Sequence, residues 1–153
     1  AAHSSTLSFL GLPGFEYSSI AFGHFTVLNT PKYRDSVLDY NLKDFYDWLA
    51  KPAQSSAVVF FNHPGFHVYR RPFEFEHFSF DPKLSETIVG LEVLHRNSAY
   101  EYMRGYSQNT PYLDEAIAQG WVLGAVGGEG RTEIESEMGC RSIRRTLHVL
   151  VES

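Results

Sequence analysis

Five short polar-tipped motifs punctuate this chain, each beside an apolar, strand-like run: Gly14-Phe15-Glu16, Gly23-His24, Asn62-His63-Pro64, Gly90-Leu91-Glu92 and Gly127-Gly128-Glu129. A barrel or open sheet of parallel strands collects the residues at its strand ends onto one rim, so motifs placed this way predict a single site there. That rim is the candidate metal site.

The runs between the motifs set the element order. Leu7 to Glu16 and Phe22 to Asn29 read as two strands, broken by the turn formers Gly11, Pro13 and Gly14 and by Ser18-Ser19. Leu42, Phe45, Trp48 and Leu49 recur at helical spacing, with Asp39 or Asn41 able to cap the start and Pro52 closing the segment. Ala57 to Phe61 is an unbroken apolar run of the kind a strand buried on both faces requires. Residues 66 to 82, rich in aromatics and proline without a helical period, read as a long ordered loop over the site. Ile88 to Leu94 predicts another buried strand. Tyr112 to Gln119 predicts a helix, with Thr110 as cap, Pro111 at the first position and Gly120 at the end. Val122 to Val126 and Thr146 to Val151 complete the series. Strands alternating with helices give an α/β class, in one domain over residues 1–153.

Composition narrows the function classes. A net charge of -5, with Arg141 to Arg145 the one short basic stretch, argues against a nucleic-acid or anionic-membrane surface and for a small ligand or protein partner. Cys140 is the only cysteine, which excludes an intrachain disulfide framework and a cysteine-rich zinc cluster. No apolar stretch reaches the roughly 20 residues of a membrane span. The Ala1-Ala2 start suits a processed end, and so favours an exported location over a cytoplasmic one.

Chemistry enters with specific side chains. Glu16 and His24, on consecutive strands, are suitable ligands for Zn, Mn or Fe, since each offers a lone pair and the carboxylate offsets cation charge. A glutamate at a strand end is otherwise a solvated rim residue. His63 emerges from a buried strand and is held by Pro64, as a ligand or as a histidine bonded to a turn carbonyl. Asn62 would orient a ligand or cap that turn. Glu92, flanked by Leu91 and Val93, needs a partner: a metal, a histidine, or an arginine such as Arg96. The alternation from Phe73 to Phe80 either lines a substrate mouth with His67 and His77 or packs in a core or interface. Gly124 to Gly130 lacks the spacing of a nucleotide-phosphate loop, and there is no Gly-x-Ser-x-Gly elbow, so covalent catalysis is disfavoured.

Taken together, Gly14-Phe15-Glu16, Gly23-His24-Phe25-Thr26-Val27, Phe45-Tyr46-Asp47-Trp48-Leu49, Phe61-Asn62-His63-Pro64-Gly65, Gly90-Leu91-Glu92-Val93 and Gly120-Trp121 leading to Gly127-Gly128 resemble the PHP-domain metallohydrolases, in their carbaryl-hydrolase-like branch. The resemblance implies a partial or distorted (β/α) PHP-type barrel of mostly parallel strands, holding divalent metal ions (Mn, Zn or Fe). The activity it implies is hydrolysis of a phosphate ester or related ester by metal-activated water. It makes Glu16, His24 and His63 the metal ligands, with His67, His77, Glu92 and Glu129 as further metal or substrate contacts; no residue is marked as catalytic beyond them.

Two departures accompany the resemblance. The family's opening His-x-His strands find no counterpart here, and its closing Gly-x-Asp-x-His is replaced by a segment carrying Gly130 and Thr132, where Glu129 is the one local carboxylate. The chain is therefore expected to lack the N-terminal ligand-bearing strands, with a homo-oligomer or a second chain completing the barrel. A non-catalytic binding or self-assembly protein with a degenerate metal site, associating through its aromatic surface, is the alternative.

Overall fold

The computed structural model describes residues 12–65, 74–95, 110–129 and 146–149, for 94–95, 128–129 and 146–149 the backbone alone. Strands β1 (Gly14–Ser19) and β2 (Gly23–Leu28) lead to helix α1 (Leu42–Leu49) and strand β3 (Val58–Asn62). Strand β4 (Ile88–His95), helix α2 (Tyr112–Ala118) and strands β5 (Gly124–Glu129) and β6 (Thr146–Val149) follow. The six strands form one sheet in chain order, β1 to β6.

Strand direction overturns the expected barrel of mostly parallel strands. β1–β2, β2–β3 and β5–β6 are antiparallel, while β3–β4 and β4–β5 are parallel. The physical reason lies in the connections. Ser19 pairs with Gly23, and a connection of three residues has no room for the crossover a parallel pair requires. In that turn the Ser19 hydroxyl accepts the backbone N–H groups of Ala21 and Phe22 at 3.2 and 3.1 Å. With β1 and β6 at opposite ends of the order, the sheet is open and mixed.

Burial alternates along the strands and separates two faces. Tyr17 on β1, Phe25 and Val27 on β2 and Val59 and Phe61 on β3 point into the core and are fully buried. Helix α1 lies on that face because its apolar positions 42, 45, 46 and 49 form one stripe. Phe45 stacks on Tyr17 with ring centroids 3.9 Å apart and meets Phe25 at 4.9 Å. Burying a side chain of this size stabilises by roughly 1.5–3 kcal/mol. Asn41 caps the helix, its side-chain oxygen accepting the Asp44 N–H at 2.9 Å. α2 adds Tyr112 and Ala116, and Trp121 closes the layer against Phe61 and Tyr46.

Other boundaries shift from expectation. Pro111, with ψ 149, is itself the N-cap residue of α2 and makes no side-chain cap bond, so Thr110 lies outside the helix start. β5 begins only at Gly124, and Val122 stands 80% exposed. The described part of the aromatic stripe belongs to the core: Phe75 and Phe78 are fully buried, so neither offers the surface that self-association through this stripe requires. Phe66 to Phe73, His67 and Arg96 lie outside the described residues.

Candidate metal centre

The second face of the sheet carries the polar side chains. Glu16 pairs across the hairpin with Thr26, and His24, two residues earlier on β2, shares their face. His24 pairs in turn with Asn62 on β3. Alternation would send the next residue, His63, to the core face, but it leaves strand geometry with φ +32 and its ring meets His24 instead.

Three ligand atoms converge as a result. His24 Nδ1 lies 3.0 Å from Glu16 Oε1 and 2.9 Å from His63 Nε2, the two imidazoles standing perpendicular. One ligand atom from each of Glu16, His24 and His63 falls within 4.8 Å of the others. Cis ligands on an octahedral cation with bonds of about 2.1 Å stand about 3.0 Å apart. Around tetrahedral zinc the same edge is about 3.4 Å. The observed spacings suit the first and approach the second within a few tenths of an ångström.

Glu92 finds the partner its buried position demands, and the partner is His63. Its Oε2 accepts the His63 backbone N–H at 2.7 Å and stands 3.0 Å from His63 Nδ1. An ionised carboxylate can only accept, so the ring proton sits on Nδ1 and leaves the Nε2 lone pair facing His24 and Glu16. A carboxylate behind a histidine in this way fixes the tautomer and ring orientation of a metal ligand. The β4–β5 register shifts directly after Glu92, where a bulge re-aims side chains beside a site. Asn62, 7% exposed, ties β3 to β2, its Oδ1 accepting the Thr26 N–H at 3.2 Å.

Of the other predicted contacts, His67 lies outside the described residues and Glu129 lies within them by its backbone alone. His77 is exposed on a turn after β3, and among the described residues the candidate ligand group is Glu16, His24 and His63 alone. Glu129 ends β5 with its backbone opposite Thr146. One buried acid went unanticipated: Glu74, fully buried, whose Oε2 accepts the Gly65 N–H at 2.6 Å. Flanked by Phe73 and Phe75, it carries no sequence signal beyond being a charge within an apolar stripe.

An imidazole pair with one carboxylate is a donor set for Zn, Mn or Fe, and three protein ligands leave coordination positions open for water or substrate. No family model, curated protein or solved structure matches this chain.

Proposed function

We propose that this protein is a metal-dependent hydrolase of phosphate esters or related esters, keeping the chemistry of the PHP resemblance without its barrel. The observation that carries the reading is the convergence of Glu16, His24 and His63 with Glu92 behind His63. Bound there, a divalent Mn, Zn or Fe ion would lower the pKa of water and polarise a phosphoryl or acyl oxygen. Glu16 supplies negative charge against the cation, His24 offers Nδ1 and His63 offers Nε2. Glu92 holds the proton on the far side of the His63 ring and restrains its rotation. His63 stands just past the carboxyl end of β3, which runs parallel to β4, and open α/β sheets receive ligands beyond the carboxyl ends of their parallel strands.

Elemental mass spectrometry of the full chain after loading and dialysis tests the proposal, paired with hydrolysis of p-nitrophenyl phosphate and its diester. Wild-type protein is expected to retain about one equivalent of Mn, Zn or Fe. Glu16→Ala and His63→Ala are expected to lose both ion and hydrolysis. Glu92→Gln should keep the ligands but weaken metal affinity by about 10- to 100-fold. Folded wild-type protein without retained metal would sink the reading.

A further inference from the structure

Four consecutive residues, Phe75, Glu76, His77 and Phe78, hold the left-handed backbone region, with φ of 53, 45, 54 and 61°. L side chains resist this region, and none of the four is the glycine or asparagine that tolerates it best. Such a run persists where its surroundings over-determine it. Here the Phe75 and Phe78 rings stack at 5.5 Å, both fully buried. The Phe75 N–H donates to Phe22 O at 2.9 Å, and Trp121 Nε1–H donates to Phe78 O at 2.9 Å.

The turn delivers the residue before it, Glu74, to a place between two other turns. One precedes His24: Gly23, at φ +95, leaves no space for a Cβ, which would stand 2.5 Å from the Phe75 ring and 2.9 Å from Glu74 Cγ. The other follows His63. Pro64 has no N–H, so the first backbone donor after His63 belongs to Gly65, and Glu74 Oε2 accepts it at 2.6 Å. The donor at His63 itself is taken by Glu92 at 2.7 Å. Two side-chain oxygens therefore hold the first two backbone donors of this turn, Glu92 at His63 and Glu74 at Gly65.

From this geometry we infer that Glu74 is a positioning residue for the metal centre. By gripping Gly65 while wedged against Gly23, it sets the separation of His24 and His63 without being a ligand. The inference rests on the metal reading above. It requires reach and an acceptor oxygen at Glu74 rather than charge.

Full-length wild type, Glu74→Gln, Glu74→Asp and Glu74→Ala, each checked for fold by circular dichroism, are titrated with Co²⁺ while the visible bands are recorded. Amide exchange of Gly65 is measured without metal. The glutamine variant keeps an oxygen at the same reach, so near-wild-type affinity, bands and Gly65 protection are expected. The aspartate variant is one methylene short, and a loss of about tenfold in affinity is expected, as for supporting residues around metal ligands, with altered bands and an unprotected Gly65 amide. If the alanine variant does not fold, the glutamine and aspartate pair decides. Equal Co²⁺ affinity and bands in the wild-type and aspartate proteins would overturn the inference alone. A folded wild type that takes up no Co²⁺ overturns the metal reading, and this inference with it.

Discussion

Tyr17 and Tyr46, both buried in the same core, place one kind of side chain in opposite polar surroundings. Tyr17 is buried beneath α1, and its hydroxyl donates to Asp39 Oδ2 at 3.0 Å, an acceptor that Arg34 also binds. Burial first, and the Asp39 charge second, push its phenol above the ordinary value of 10.0. The Tyr46 phenol is raised by burial as well, but its hydroxyl has no hydrogen-bond partner among the described residues. A folded-state value above the unfolded one means stability that is fully present below about pH 10 and is lost as pH rises further. Urea unfolding at pH 8 and pH 11 should therefore show wild-type protein weaker at the higher pH. Tyr17→Phe should cost about 1 kcal/mol at pH 8, through the lost hydrogen bond, and flatten the alkaline fall. Tyr46→Phe, removing an unsatisfied group, should be neutral or stabilising at pH 8. An alkaline fall that both single variants and the double variant leave unchanged would show that other groups control it.

At the scale of elements, the two helices differ in how their starts are held. Asn41 satisfies an orphan N–H of α1, whereas α2 opens on Pro111, which makes no side-chain cap bond. Asn41→Ala should lower the unfolding free energy by about 1 kcal/mol, and Thr110→Ala should leave it within about 0.5 kcal/mol, both read from urea midpoints. A loss at Thr110 as large as that at Asn41 would contradict this account of α2. The contrast also bears on what could be read from residues alone. A cap such as Asn41 acts over three positions, and the Glu16–His24 pair over one hairpin, so both are written in local spacing. The approach of His63 to His24 joins residues 39 positions apart and depends on the β2–β3 register and on a left-handed backbone at His63. Glu74 was hidden for the same reason, since its reach depends on a left-handed turn that no glycine or asparagine announces. Strand direction was hidden too. An apolar run such as Val58 to Phe61 suits a strand buried on both faces in a barrel and in an open mixed sheet alike.

For the whole molecule, the consequence of an open sheet in chain order is that the candidate ligands stand on neighbouring strands. Glu16 is on β1, His24 on β2 and His63 just past β3, with Glu92 on β4 behind it. An ion held by the first three joins the antiparallel edge of the sheet to its parallel centre, and nothing equivalent to this site survives in an unfolded chain. Binding to the folded state alone stabilises by about 2.7 kcal/mol when the free ion is at 100 times its dissociation constant. For a chain of 153 residues, that corresponds to a rise of about 5–10 °C in Tm. Calorimetry with and without Mn²⁺ or Zn²⁺ should show this rise in the main unfolding transition, because the ligands come from neighbouring strands of one sheet and meet only when it is folded. His63→Ala should abolish the shift. Asn41→Ala, destabilised on the opposite layer, should start from a lower Tm and still gain the full increment, since distant sites contribute additively. A rise of equal size in His63→Ala would place the stabilising ion elsewhere on the surface and separate it from the site formed by Glu16, His24 and His63.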